Sequence, residues 1–195
     1  MLIIIILPLR YTLYNTTYYD SEFEKNNVYD NIDKSKADNI ISNLLSYFKG
    51  EANLQYFSDR EQSHLEDVKN LLGTFFTILS IAVAILIITL TTLFFVNREE
   101  FLDNLFKQLF LGGLSSFALL ALLFLASLNF SMTFEGFHKL FFPQGNYSFA
   151  PNSLLITLFP TVFFKNFFIK ILLNSLLLSF VVMMPQFVWN KLNQA

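Results

Sequence analysis

The chain contains two histidines, and their positions are the clearest indication of chemistry in the sequence. His64 precedes a long uncharged run that begins at Leu71, and His138 follows the next uncharged run, which ends at Phe130. If these runs cross a membrane as antiparallel neighbours, both imidazoles arrive at the same membrane face. An imidazole, with a pKa near ~6.5, can accept or donate a proton at neutral pH. The spacing therefore allows an acid–base pair.

Carboxylates stand near both histidines. On helical spacing Asp67 shares a face with His64, and Glu135 has the same relation to His138, so each carboxylate could orient a ring. Three interpretations are open. The histidines could bond to lipid headgroups or backbone, they could bind zinc together with the carboxylates, or they could act as acid and base. The chain has no H-x-x-x-H or H-E-x-x-H pattern, which makes zinc the less favoured of the three. We expect no metal and no cofactor.

Composition excludes several other classes of protein. The chain has no cysteine, which removes thiolate zinc sites, disulfide scaffolds and a cysteine nucleophile. It has no nucleophile elbow, Walker loop or dinucleotide-binding fingerprint. A net charge of −2 with no basic stripe argues against nucleic acid as a partner. Of its 195 residues, 54% are hydrophobic and only 14% are charged, which indicates a membrane protein.

Three uncharged runs are long enough to span a bilayer, which takes about 20 residues of helix. They predict membrane helices over residues 71–96, 109–130 and 167–189. The apolar stretch at residues 1–9 is too short to span, and we interpret it as the C-terminal part of a first membrane helix whose beginning is missing. The predicted fold is thus an all-α membrane protein, a transmembrane helical bundle with three full spans plus a truncated first helix.

Two polar segments separate these spans on one side of the membrane. Residues 10–70 predict a small cap that contains an amphipathic helix over 36–49, opened by a capping box at Ser35 and closed by Gly50. A second capping box at Ser58 opens the helix that enters the membrane. The segment 11–33 has no clear period, which suggests loop or short strands. Residues 131–166 form the second segment and contain His138.

The orientation in the membrane follows from the positive-inside rule. The linker 97–108 carries Arg98 and Lys107, and Lys191 lies in the C-terminal tail, which predicts that this side is cytoplasmic. The two polar segments and both histidines would then be extracytoplasmic.

Four short motifs together resemble the lipoprotein intramolecular transacylases (Lit), a family of small bacterial integral membrane proteins. The similarity runs from about residue 10 to the C-terminus. Its motifs are Leu44-Leu45-Ser46-Tyr47-Phe48-Lys49-Gly50, His64-Leu65-Glu66-Asp67-Val68-Lys69, Phe137-His138-Lys139-Leu140-Phe141-Phe142 and Leu158-Phe159-Pro160. The chain departs from the family pattern at Tyr147, where a tryptophan is expected, and at Asn152, where an acid is expected.

The resemblance implies four membrane helices with a small extracytoplasmic cap in the bacterial plasma membrane. It implies transfer of the sn-2 acyl chain of a diacylglyceryl lipoprotein to the α-amino group of that lipoprotein's N-terminal cysteine, giving a lyso-form lipoprotein. His64 and His138 would be catalytic, and the partners would be the lipoprotein substrate and membrane lipid. Expected supporting residues, for orientation or substrate contact, are Asp67, Glu135, Lys139, Tyr47 and Lys69.

Two other functions remain open from the sequence. A non-catalytic membrane assembly or transport component would not need its histidines, although the predicted spans carry no charged residue near their centres. A metal-dependent membrane hydrolase would need zinc bound by the histidines and carboxylates.

Overall fold

The structure, a computed structural model, describes residues 1–192 and is helical, with no strand among these residues. In chain order the helices are α1 (Leu2–Leu13), α2 (Thr16–Lys25), a 3-10 turn (Val28–Asp30), α3 (Lys34–Lys49), α4 (Asp59–Val96), α5 (Phe101–Ser127), α6 (Phe130–Phe141), α7 (Leu154–Leu158) and α8 (Thr161–Leu192). The predicted all-α membrane fold is confirmed.

The chain divides into two compact units. The membrane unit comprises residues 1–10, 75–128 and 169 onward, and the histidine unit comprises residues 11–74 and 129–168. Both histidines and all the predicted supporting residues belong to the histidine unit.

The membrane unit contains the long apolar stretches of α4, α5 and α8, each long and apolar enough to cross a bilayer, and the shorter apolar helix α1. Large apolar side chains such as Ile88, Leu122 and Leu177 are exposed along these helices, as contact with lipid requires. Between α5 and α8 the packing depends on small residues. The buried Ser179 hydroxyl donates a hydrogen bond of 2.7 Å to the carbonyl oxygen of Gly113, a close approach typical of membrane helices.

The histidine unit has its own apolar core. One face of α3 is buried against aromatic side chains of α2 and of the segment that leads into α8. The buried members include Ala37, Ile40, Ile41, Leu44, Leu45, Tyr19, Phe23, Leu158, Phe159 and Phe163. This core attaches α3, α7 and the start of α8 to one another, and therefore supports the elements that carry the site.

The prediction of loop or short strands for residues 11–33 is wrong over its first part, because α1 extends to Leu13 and α2 covers Thr16–Lys25, whereas residues 26–33 form turns without strand. The Asn15 side chain caps α2 by accepting from the backbone N–H of Tyr18 at 3.3 Å. Tyr19 and Phe23, one helical turn apart, are both buried in the core. Burial of this aromatic pair stabilises a helix whose other residues are polar and give little periodicity.

The C-terminal end of α3 agrees with the prediction from the sequence, and its N-terminal cap does not. The helix ends at Gly50 in the left-handed conformation (φ 81°), as predicted, because glycine adopts this conformation without a steric penalty. The predicted start is wrong. Asp33 rather than Ser35 caps the helix, and its carboxylate accepts from the Lys36 N–H at 3.1 Å.

The connections between the spans are more helical than predicted. Helix α5 begins at Phe101, so residues 101–108 of the predicted linker are helical. Helix α5 ends at Ser127 and α6 begins at Phe130, which places a turn at residues 128–129 inside the predicted span 109–130. Helices α6 and α7 and the first residues of α8 occupy much of the predicted connection 131–166.

Candidate active site

His64 lies on the second turn of α4, whose start is held by a buried carboxylate. Glu61 is 3% exposed. Its Oε2 accepts hydrogen bonds from the backbone N–H and the hydroxyl of Ser58, at 2.9 and 2.7 Å, so the glutamate half of the predicted capping box is present. Its Oε1 accepts from the backbone N–H of Leu155 at the start of α7, at 2.8 Å. Glu61 thus joins the starts of α4 and α7 and sets the position of His64.

His138 lies in the last turn of α6, and its ring is fixed by the helix itself. Nδ1 is 2.7 Å from the backbone carbonyl oxygen of Phe134, one turn earlier. Because a carbonyl oxygen only accepts hydrogen bonds, Nδ1 must carry the proton and donate it. The neutral ring therefore keeps its lone pair on Nε2, the arrangement that a general base requires.

The two imidazole rings are brought together within the histidine unit. Their centroids are 6.1 Å apart and their planes differ by 23°. Although 73 positions separate the two residues in the chain, α6 returns His138 to the start of α4. Both imidazoles can therefore act on one substrate group placed beside them.

Aromatic side chains surround the pair. Phe142 contacts both rings, with centroid separations of 4.9 Å to His64 and 5.6 Å to His138. Phe149 is 5.5 Å from His64, and Tyr147 is 5.0 Å from His138. On α6 itself, Phe134 lies 4.3 Å from the His138 ring. These aromatic neighbours exclude water from the imidazoles.

Burial among these side chains controls the protonation of both histidines. His64 is 6% exposed and precedes the uncharged part of α4, which begins at Leu71. Burial, assisted by His138, lowers the pKa of His64 to about 4, opposed by Asn146 and by the charge of Asp67. Burial also lowers the pKa of His138, against the effect of its bond to the Phe134 carbonyl. Both rings are therefore neutral at pH 7.

Asp67 makes its hydrogen bonds to the loop that follows α6. Gln144 Nε2 and Asn146 Nδ2 each donate to Asp67 Oδ2 at 2.6 Å. Asn146 Nδ2 also lies 3.3 Å from the Ser63 hydroxyl. Asp67 thus fixes the loop that carries Phe142, Tyr147 and Phe149, while its charge acts on His64 through space.

The other predicted supporting residues form two separate pairs. On the exposed side of α6, Glu135 and Lys139 form an ion pair with an N–O distance of 2.6 Å. In the second pair, Lys69 Nζ lies 4.0 Å from the centroid of the Tyr47 ring, a cation–π contact between α4 and α3. The orientation of His138 that was predicted for Glu135 is provided by the Phe134 carbonyl.

A metal site within residues 1–192 would need several ligand side chains placed together. No group of three or more histidine, aspartate or glutamate side chains in this part of the chain is placed to hold an ion. Asp67 and Glu135 have the amide and ammonium partners described above instead.

Sequence reasoning missed the loop residues of the site. Gln144, Asn146 and Phe149 were not singled out, and Tyr147 was noted only as a departure from a family pattern. The available signal was the density of aromatic and amide residues directly after His138. Without the loop conformation, nothing in that composition connects these residues to His64.

Comparison with known proteins gives a family and a fold. The family model for the lipoprotein intramolecular transacylase Lit matches residues 1–164. The structure is similar to the in meso structure of the membrane integral lipoprotein intramolecular transacylase Lit from Bacillus cereus. The TM-score is 0.84 at 23% sequence identity, and the match covers 100% of this chain and 92% of that one.

Two further solved structures are variants of the same Bacillus cereus protein, in which a histidine is replaced by alanine or by arginine. Each has a TM-score of 0.77 and 23% identity, with 100% and 99% of this chain covered and 90% and 88% of the other. No sequence among curated proteins matches the chain. At this level of identity the structural likeness supports the fold, and the match to the family model identifies the family.

Proposed function

Because the chain belongs to the lipoprotein intramolecular transacylase (Lit) family, whose members are membrane acyltransferases, we propose that it converts diacylglyceryl lipoproteins to the lyso form. The acyl chain at the sn-2 position would move to the α-amino group of the N-terminal cysteine of the same lipoprotein. His64 and His138 would provide the acid–base catalysis.

The observation that carries this proposal is the pair of imidazole rings with centroids 6.1 Å apart in an aromatic surrounding. Acyl transfer from an ester to an amine within one molecule needs no enzyme nucleophile, which agrees with the absence of cysteine. It needs proton transfer at two atoms of the substrate, the nitrogen and the glyceryl oxygen. Two imidazoles at this separation can serve these two atoms.

The proton balance assigns a role to each imidazole. The α-amino group, with a pKa of about 7.7–8.0, is mostly an ammonium at neutral pH. It loses two protons as the C–N bond forms and the ester C–O bond breaks. One proton ends on the glyceryl oxygen and the other is released to water. His138 Nε2, with its free lone pair, accepts from the nitrogen, and His64 stabilises or protonates the oxygen. The reverse assignment uses the same geometry.

The remaining catalytic effect would come from folding the substrate. Both reacting groups belong to one lipoprotein, so the protein mainly holds them in an attack geometry. Orientation of this kind contributes about 7–11 kcal/mol in favourable cases. The aromatic residues Phe142, Tyr147 and Phe149 would contact the lipid, and the Lys69–Tyr47 and Lys139–Glu135 pairs would contact the polar glyceryl or peptide part.

The site would face the extracytoplasmic side of the bacterial plasma membrane. The charges of Arg98 and Lys107, between the histidine-bearing segments in the chain, support a cytoplasmic position for the α4–α5 connection. Diacylglyceryl lipoproteins and membrane lipid would be the partners.

Mass spectrometry of a reporter lipoprotein tests the proposed reaction. The reporter would be expressed with and without this protein in a host that makes diacylglyceryl lipoproteins and lacks other N-acylation. We expect an N-terminal peptide that carries one N-acyl chain and one glyceryl ester chain at unchanged total mass. Fragmentation locates the moved chain on the nitrogen.

A control strain would express the His64→Ala, His138→Ala double variant at the same level in the membrane. A peptide that keeps two ester chains and a free amine in the presence of well-expressed wild-type protein would contradict the proposal. Loss of one acyl chain from the peptide would instead identify a hydrolase, and sensitivity of that loss to a chelator would identify a metal-dependent one.

A further inference from the structure

Asn146 occupies a position between Asp67 and His64 that no part of the proposed reaction has yet used. Its side-chain nitrogen donates to Asp67 Oδ2 at 2.6 Å. A carboxylate only accepts hydrogen bonds, so the amide cannot be turned around without placing two acceptors face to face. Asp67 therefore determines the direction of the amide, and the side-chain oxygen of Asn146 must point elsewhere.

That oxygen is buried and, among residues 1–192, receives no hydrogen bond. Buried polar atoms are nearly always paired, because an unpaired one loses its bond to water without replacement. The Asn146 oxygen, a buried acceptor beside α4, therefore requires a hydrogen-bond donor nearby.

His64 Nδ1 is also a buried atom that has no hydrogen-bond partner among residues 1–192. The His64 side chain as a whole is 6% exposed. The amide of Asn146 already acts on this ring, since it raises the pKa of His64 against the effect of burial. Asn146 Oδ1 is an acceptor without a donor, and His64 Nδ1 can donate to it if Nδ1 carries the ring proton.

We propose that Asn146 is a positioning residue, whose side-chain oxygen accepts a hydrogen bond from His64 Nδ1–H and so connects Asp67 to His64. The inference rests on the proposed function and adds to it the residue that orients the second histidine. Asp67 then acts through Asn146, although it does not touch the ring.

The connection restricts how His64 works. With Nδ1–H directed at Asn146, Nε2 is the atom that meets the substrate, and in the neutral ring Nε2 has only a lone pair. His64 can then act on the glyceryl oxygen only as an imidazolium that transfers its Nε2 proton, not as a neutral hydrogen-bond donor. Asp67 on α4 favours this charged state, and His138 on α6 opposes it.

The proton position can be measured directly, because the chain has only two histidines. Protein labelled with ¹⁵N-histidine contains four ring nitrogens, and their chemical shifts in detergent micelles report tautomer and pKa. In the wild type we expect both neutral rings to carry the proton on Nδ1. In Asn146→Ala we expect the His64 proton to redistribute towards Nε2 and its pKa to fall, with His138 unaffected.

Gln144→Ala is the matched control, since it removes the other amide from Asp67 and leaves Asn146 in place. We expect it to keep the His64 tautomer. The exchanged pair Asp67→Asn with Asn146→Asp places the carboxylate next to Nδ1, so we expect Nδ1–H to be retained and the pKa of His64 to exceed the wild-type value. Each unit of pKa change alters the imidazolium fraction about tenfold above the pKa, and the transacylation rate should follow it.

An unchanged His64 tautomer and pKa in Asn146→Ala would overturn the inference, whatever happens to activity. Equal changes in Asn146→Ala and Gln144→Ala would also overturn it, by showing that the loop as a whole is responsible. These spectra need no turnover, so they remain interpretable even if the reporter lipoprotein shows that the proposed reaction does not occur.

Discussion

The imidazole rings of His64 and His138 lie 6.1 Å apart and nearly parallel, with 23° between their planes. At this distance the two rings do not hydrogen-bond to each other, so each remains available to a substrate atom. The His138 ring is held by its own helix through the Phe134 carbonyl, whereas His64 depends on residues outside its helix. The loop after α6 therefore matters more for the orientation of His64 than for that of His138.

Replacing either histidine should abolish most of the activity. Acid–base groups contribute about 10²–10⁴-fold in rate, so we expect His64→Ala and His138→Ala each to lose at least about a hundredfold in conversion of the reporter lipoprotein, measured by mass spectrometry. The double variant should be little worse than either single variant, because the two groups act in one reaction. Glu66→Ala and Leu140→Ala are matched controls, as exposed neighbours on the same helices. Near-normal conversion by either histidine variant would remove that residue from the proposed mechanism.

The rate should depend on pH through the histidine that acts as base. His138 accepts a proton only when neutral, and burial lowers its pKa from the ordinary value of 6.5. We therefore expect no loss of rate as the pH falls through 6.5, because His138 stays neutral while the imidazolium fraction of His64 increases, and a decline only at lower pH. Initial rates measured with purified protein in detergent, from pH 4.5 to 8, would show the pH at which the rate declines. A decline already centred above pH 6.5 would mean that His138 is not the base.

Stability should fall in acid for a related reason. The unfolded chain binds protons at its histidines near pH 6.5, whereas in the folded state burial lowers the pKa of His64 to about 4. Below pH 6.5 the unfolded state therefore binds more protons, and the free energy of unfolding decreases towards pH 4. Unfolding temperatures in detergent should show this decrease, and His64→Phe, which keeps an aromatic ring, should reduce it. An identical pH dependence in that variant would assign the effect to other groups.

Glu61 should be needed for stability rather than for chemistry. Its carboxylate accepts from Ser58 and from the Leu155 N–H, so Glu61→Ala leaves a buried backbone donor without a partner. That loss costs about 1–3 kcal/mol. Thermal unfolding would measure it against the exposed neighbour Glu66→Ala. A Glu61→Ala protein as stable as that control would show that the buried contact contributes little.

Two adjacent glycines in α5 offer a sharp comparison of helix packing. A Cβ at Gly113 would lie 2.4 Å from Met183 Cγ and 3.0 Å from the Ser179 carbonyl oxygen, whereas one at Gly112 meets nothing within 4 Å. We expect Gly113→Ala to destabilise the protein by about 1–3 kcal/mol, the usual range for overpacking. Gly112→Ala should be neutral or slightly stabilising, since alanine favours helix. Unfolding in a denaturant series would separate the two, and equal effects would contradict the close approach of α5 and α8.

The length and low polarity of the three uncharged runs determined that this chain is a membrane protein. Residues 71–96 carry no charge and exceed what a bilayer requires, so any fold of this chain must place them in a low-dielectric surrounding. Local chemistry likewise determined the end of α3 at Gly50 and the start of α4 at Ser58. These features depend on neighbours in sequence, and the sequence therefore predicted them correctly.

Tertiary structure decided which residues complete the site. The spacing put Asp67 and Glu135 beside the histidines, yet Asp67 bonds to Gln144 and Asn146, and Glu135 pairs with Lys139. Helical spacing shows which side chains share a face, but it cannot show which partner from elsewhere in the chain competes for a carboxylate. The helicity of α2 has the same origin, because burial of Tyr19 and Phe23 outweighs a weak local preference. The two histidines were visible in the sequence, and the aromatic and amide residues around them became visible only once the loop after α6 was placed.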